Sequence, residues 1–181
     1  MDGAMANQYV QTDLRDFLAA VEAGGELKTV AGAHWDKEIG AVTEVLYREK
    51  VDRAPLLLFD EVPGYEKGFR CLYGMLGSPF RLALGMGIDP AGSDDRRAML
   101  DAYRERIKQY KPIPPNVVTE APILENIDRD DDVDLTKFPV PVHHEKDGGR
   151  YIGTACGVIT KDPDTGRVNV GTYRVMLNGK N

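Results

Sequence analysis

Several things are scarce in these 181 residues, and each absence closes off a class of function. No apolar stretch reaches the ~18 residues that a membrane-crossing helix needs. No basic excess exists: 23 Lys and Arg face 29 Asp and Glu, a formal net charge of −6, where a nucleic-acid surface would need a clustered basic patch. Cysteine is limited to Cys71 and Cys156. They could close one disulfide. However, Met1 to Gln8 has neither the basic start nor the apolar core of a signal peptide. The chain is therefore expected in the cytoplasm, with both thiols reduced and packed as small apolar groups. Nucleophile elbows of the G-x-S-x-G type and phosphate-binding loops are missing as well. "GMGIDP" (85–90) ends a helix instead of opening one and lacks the Lys-Ser/Thr pair.

What is present is ordinary for a globular protein: 42% hydrophobic and 29% charged residues, enough for one domain or one domain plus part of a second. Leu14, Phe17, Leu18 and Val21 fall on one helical face after Thr12 or Asp13 as cap, with Gly24-Gly25 as stop. "ELKTV" (26–30) alternates like a strand. A second helix follows from Asp36 to about Lys50, with Ile39, Val42, Val45 and Leu46 inward. "PLLLFD" (55–60) reads as a buried strand, with Phe69 to Tyr73 as its partner. Ser78-Pro79 opens a further helix, and Asp94 to Tyr110 forms a charged, exposed one. Residues 1–110 are thus expected to be a small α/β domain. Residues 111–145 hold more than half of the eleven prolines and read as a crossover. Residues 146–181 contain two β runs joined by the turn "KDPDTGR".

The candidate sites outside that last block are weak. "DRDDDVD" (128–134) resembles the start of a calcium loop. A calcium loop needs Gly at its sixth position and Glu at its twelfth, where this chain has Val133 and Pro139, so a solvated acidic turn is expected. Asp132 or Asp134 could cap a short helix around "LTKF". His143 and His144 precede Glu145, but vicinal side chains diverge, and surface residues are the simpler reading. His34 has no visible partner.

The final block is richer. Gly153, Ala155 and Gly157 share one face of a strand, so something packs close to its backbone: either another element or a flat ring. On the next strand Asn169, Gly171 and Tyr173 share one face, and Val170, Thr172 and Arg174 share the other. A bulge at Gly171 would let Asn169 and Arg174 converge. Arg174 could fork onto a carboxylate or phosphate, and Asn169 could offer an oxygen to Mg²⁺ or Mn²⁺. Equally, Arg174 could be a rim residue paired with an acid, with Asn169 ending the strand pairing.

"APILENI" (121–127), "DLTKFPVPVHHEKDGGRYIGT" (134–154) and "GVITKDPDTGRVNVGTYR" (157–174) together resemble the N-terminal part of the UbiD-like decarboxylases. "DLRDFLAAVEAGGEL" (13–27) and "PLLLFDEVPGY" (55–65) fit the same family's first domain, so the resemblance covers nearly the whole chain. Its most specific piece is N-x-x-x-x-R on the strand after a DP-x-T-G turn. The resemblance implies an α+β chain: a small N-terminal α/β domain followed by the start of a flavin-binding split β-barrel. It implies reversible, non-oxidative decarboxylation of aromatic or α,β-unsaturated carboxylic acids with prenylated FMN. Asn169 would ligate a divalent metal, Mn²⁺, with K⁺ as a further candidate ion. Thr172 and Tyr173 would line the cofactor. Arg174 would also bind it and would be the catalytic group on the substrate carboxylate. The implied partners are a small carboxylic acid, a prenyltransferase supplying the cofactor and, for the full-length protein, a second copy of itself.

In that family a His and a Glu complete the metal shell, and they and the catalytic acids follow the stretch that closes this chain. None of the three histidines occupies the matching position. The chain is therefore expected to be a fragment, inactive alone. The alternatives are a non-catalytic flavin-binding or assembly module and a purely structural split-barrel domain.

Overall fold

A computed structural model describes residues 9, 11–114 and 116–180. The leader reading of Met1 to Gln8 lies outside the described residues, as do Pro115 of the crossover and the closing Asn181. The chain is mixed helix and sheet, in the order α1 (Leu14–Ala23), β1 (Leu27–Ala31), α2 (Glu38–Glu49), β2 (Leu56–Asp60), β3 (Cys71–Tyr73), α3 (Pro79–Gly85), α4 (Arg96–Lys108), β4 (Tyr151–Lys161) and β5 (Val168–Met176). The expected helix–strand–helix–strand–strand opening is therefore present. The first three strands form a sheet ordered β1-β2-β3. No described helix is long and apolar enough to cross a membrane.

Contacts divide the chain into two units, residues 1–29, 45–58 and 72–125 in the first, and 30–44, 59–71 and 126–181 in the second. In the first unit, Asp13 caps α1 by accepting from the Arg15 and Asp16 N–H groups at 2.7 and 3.1 Å. Those donors have no partner within the helix, so the cap stabilises its first turn. Ser78 and Asp95 cap α3 and α4 in the same way. Phe17 and Val21 of α1 pack with Leu56 and Leu84, flanked by Leu18, Leu27, Leu72 and Phe80. A second cluster joins Ala83, Ile88 and Met99. Two expectations of burial fail here: Leu14 is 48% exposed and Val45 is 54% exposed. Each sits at the margin of its apolar stripe, where helical period alone does not locate the edge of the core.

Beneath this core lies a charged side chain that periodicity cannot flag. Arg81 is fully buried. Its Nη1 reaches Glu26 Oε2 at 2.5 Å, Nη2 donates to Ala54 O at 2.7 Å and Nε donates to Gly74 O at 3.0 Å. The Ser78 hydroxyl donates to the same Glu26 oxygen at 2.5 Å.

In the second unit, Val142 forms a parallel bridge with Asp36, and Lys37 N–H donates to Val142 O at 2.9 Å. A short 3-10 turn, Pro122–Leu124, belongs to the first unit, and two more follow in the second at Asp130–Asp132 and Leu135–Lys137. Asp134, rather than Asp132, caps the last of them through the Thr136 N–H at 2.9 Å.

Candidate functional site

The turn between β4 and β5 follows from its sequence. Asp162 accepts from the Asp164 and Thr165 N–H groups at 2.9 and 2.7 Å. Gly166 takes the left-handed conformation, φ +71°, that reverses the chain without strain. The strands then pair antiparallel in unbroken register from Lys161↔Val168 to Cys156↔Tyr173. Gly171 pairs with Val158 inside this regular stretch, so the bulge expected there is absent. The irregularity is in β4 instead. Between Tyr151 and Gly153, and again between Gly153 and Cys156, β4 advances one residue more than β5 does across Met176–Val175 and Val175–Tyr173. The first extra residue lies opposite the Met176–Val175 step and the second opposite Arg174.

The glycines explain this placement. A Cβ on Gly153 would lie 1.9 Å from Cys156 Sγ, so the thiol folds into the space that glycine leaves inside the bulge. A Cβ on Gly171 would lie 2.4 Å from the Tyr173 ring, which covers it along its own strand. At these two positions the close neighbour is the hairpin itself. Gly157 differs: a Cβ there would meet nothing within 4 Å. Gly153→Ala is expected to turn the Cys156 thiol outward and to speed its alkylation severalfold, measured by the rate of thiol reaction at fixed pH.

With the register fixed, the four site residues sort by face. Asn169, opposite Thr160, shares its face with Gly171 and Tyr173. Thr172, opposite Gly157, shares the other with Arg174 and Tyr151. The structure brings Thr172 and Arg174 together and leaves Asn169 and Arg174 on opposite faces of a regular β5. The Arg174 guanidinium is exposed, with Cζ 6.0 Å from the centroid of the Tyr151 ring. It meets no carboxylate among the described residues, so the rim-arginine reading has no acid to support it here. The Asn169 side chain is likewise exposed, with no hydrogen bond among the described residues. No group of three or more His, Cys, Asp or Glu among the described residues could hold a metal ion.

The histidines have local work. His144 Nε2 lies 3.2 Å from Glu44 Oε2. Asp147 Oδ2 accepts the His144 and His143 N–H groups at 2.9 and 3.2 Å. The His144 N–H, above all, holds the Asp147 carboxyl below its usual range. Burial, more than any neighbouring charge, lowers His143. His34 does have a partner: its Nδ1 accepts the Asp36 N–H at 3.0 Å. Cys71 donates to Pro139 O at 3.1 Å and is pushed up to about 11 by burial, which makes it an unreactive thiol.

One side chain was missed by sequence reasoning. Arg150, quoted within "GGRYIGT" but given no role, stacks its guanidinium on Trp35 at 4.2 Å and lies 5.7 Å from the centroid of Tyr65. Its Nε donates to Val140 O at 2.6 Å, and one Nη donates to Phe138 O at 3.3 Å and to the Tyr65 hydroxyl. Its partners Trp35 and Tyr65 lie far away along the chain, so no short-range pattern marks it.

Comparison with known proteins places this hairpin in context. Residues 18–98 match the model of the 3-octaprenyl-4-hydroxybenzoate carboxy-lyase N-terminal domain, and residues 116–181 match that of its Rift-related domain. Pyrrole-2-carboxylic acid decarboxylase of Pseudomonas aeruginosa is 34% identical over 178 residues, covering 93% of this chain and 34% of the relative. The open form of Sedimentibacter hydroxybenzoicus vanillic acid decarboxylase superposes with a TM-score of 0.77 at 31% identity, covering 94% of this chain and 36% of that one. An evolved dimeric form of the UbiD-class enzyme HmfF from Pelotomaculum thermopropionicum, in complex with prFMN, gives a TM-score of 0.71 at 32% identity, covering 94% and 37%. The chain spans about a third of the length of these relatives. On the strength of both domain matches, it belongs to the UbiD family of carboxy-lyases.

Proposed function

We propose that this chain is the N-terminal part of a reversible, non-oxidative decarboxylase of aromatic or α,β-unsaturated carboxylic acids that uses prenylated FMN. The observation that carries this reading is Arg174, a guanidinium exposed beside Thr172 and free of any carboxylate among the described residues. A planar fork of N–H donors left without an acid is suited to an incoming carboxylate. The relatives named for pyrrole-2-carboxylic and vanillic acid, and the relative holding prFMN, support the same substrate class and cofactor.

The Thr172–Arg174 face fits a flat ring, because opposite Thr172 the Gly157 position is open. Bound there, prenylated FMN would supply the electron sink for the carbanion character that decarboxylation builds. The chain's own residues do the rest of what can be assigned. Thr172 lines the cofactor with its side chain and Tyr173 with its backbone, since the Tyr173 ring lies on the other face against Gly171. Arg174 orients the substrate carboxylate and relinquishes it as CO₂ departs. An acid from a longer polypeptide then protonates the carbon.

Asn169 would supply one amide oxygen to Mn²⁺ near the flavin phosphate, with K⁺ as a further ion. Asn169 lies on the other face of β5, so it would hold the metal from the side opposite Thr172 and Arg174. On this reading residues 1–110 form the N-terminal α/β domain, 111–145 the crossover and 146–181 the opening of a split β-barrel. The full-length protein is a cytoplasmic homo-oligomer that receives its cofactor from a prenyltransferase, and residues 1–181 alone are inactive.

The test is co-expression of the full natural polypeptide with a flavin prenyltransferase, followed by a panel of aryl and acrylic acids. CO₂ release from at least one acid is expected; release from none overturns the reading. Flavin binding without turnover would favour the non-catalytic module instead. Asn169→Ala is expected to weaken metal retention by more than the ~10–100-fold that losing a supporting partner of a ligand costs. Metal content after dialysis measures it, and flavin should be lost in parallel.

A further inference from the structure

We propose that Arg150 and Tyr151 are positioning residues for Arg174: Arg150 fixes the start of β4, and the Tyr151 ring holds the Arg174 guanidinium from beneath. The inference rests on Arg174 as the carboxylate-binding cation, and adds two groups which that reading does not itself require.

The start of β4 has reason to need an anchor. Its two extra residues relative to β5 lie between Tyr151 and Cys156, opposite the segment that carries Arg174. Pairing is interrupted there, and a strand free to slip by one residue would turn its side chains to the other face. Arg150 removes that freedom. Its side chain is held by the Trp35 and Tyr65 rings and by the Val140 and Phe138 carbonyls. Its own carbonyl accepts the Leu177 N–H at 2.8 Å, just beyond β5. One residue thus ties the crossover, the start of β4 and the end of β5 together.

Tyr151 inherits this fixed position. Its N–H donates to Pro141 O at 3.0 Å, and it pairs with Met176. The ring then stands on the face of Arg174, 6.0 Å from Cζ, within the range of a cation–π contact. Such a contact limits the rotamers of a long exposed side chain without occupying its N–H donors. Those donors stay available to a carboxylate. Lysine is no substitute for Arg150, because a single compact ammonium cannot lie flat on Trp35 while reaching the Val140 and Phe138 carbonyls from separate nitrogens.

The experiment uses the full natural polypeptide, flavin-loaded and flavin-free, with calorimetric affinities for benzoate and for benzamide, its neutral isostere. Tyr151→Leu is expected to weaken benzoate about fivefold and leave benzamide unchanged. Arg150→Met should do the same, Arg150→Lys should not restore benzoate, and Tyr151→Phe should behave as wild type. Equal losses for both probes, or unchanged benzoate in Tyr151→Leu, overturn the proposal. Should Arg150→Met fail to fold, the Tyr151 pair decides. Arg174→Ala separates the two layers. If it too leaves the preference for benzoate intact, or if wild type shows none, the underlying reading of Arg174 falls. If Arg174→Ala loses the preference while the Tyr151 and Arg150 variants keep it, only the positioning role falls.

Discussion

Arg174→Ala is expected to lower kcat/KM of the flavin-loaded full-length protein by ~10³-fold or more while the flavin stays bound, the scale of removing one preorganised electrostatic group from a reacting centre. The expectation follows from where the residue sits. Its guanidinium is exposed, meets no carboxylate among the described residues and lies over the Tyr151 ring, so alanine removes no described ion pair. Stability should therefore change little, and the loss should appear as chemistry. Arg174→Lys should recover only part of the rate, because an ammonium is a point charge and cannot grip a carboxylate with two parallel N–H donors. The measurements are steady-state decarboxylation together with the flavin absorbance of the purified variant. If Arg174→Ala instead emerges without flavin, then Arg174 retains the cofactor and the roles given to it and Asn169 must be exchanged.

How much of this was legible beforehand depends on the range of the interactions. Local signals were read well. Asp13 as one of two candidate caps, Ser78-Pro79 as the opening of α3, the apolar run of β2 and the Asp-Pro turn between β4 and β5 are each set within about five residues of chain, and all are present. Strand parity was also legible, since a period of two requires nothing from the rest of the fold. It put Thr172 and Arg174 on one face and Asn169 and Tyr173 on the other, and the register agrees.

The bulge was misplaced for an identifiable reason. Glycine within a strand signals an irregularity or a close approach, and the sequence does not say which. At Gly171 it is the approach of the Tyr173 ring, and at Gly153 it is a bulge that also seats Cys156. Arg150 and Arg81 were not legible at all. Both are charges held by partners distant in sequence, and no period or motif records a contact that only the fold creates.

Arg81 gives the second large expectation. Arg81→Leu should destabilise the chain by about 3 kcal/mol, the low end for breaking a buried ion pair, because Glu26 keeps 30% of its side chain in contact with solvent. The loss has more than one source. Glu26 would forfeit its cation, and the Ala54 and Gly74 carbonyls would forfeit donors at 2.7 and 3.0 Å. The Ser78 hydroxyl would remain on a carboxylate that is now uncompensated. These contributions are separable by a double-mutant cycle with Glu26→Gln. If the charge pair dominates, the double variant should recover much of the stability lost by Arg81→Leu, since no unpaired charge remains. If the two carbonyls dominate, the double variant should be no more stable than the single one, because neither change supplies them with a donor. Equilibrium urea unfolding measures all four proteins. A loss below about 1 kcal/mol for Arg81→Leu would place it in the range of a surface ion pair, and Arg81 could not then be the buried anchor of the first unit.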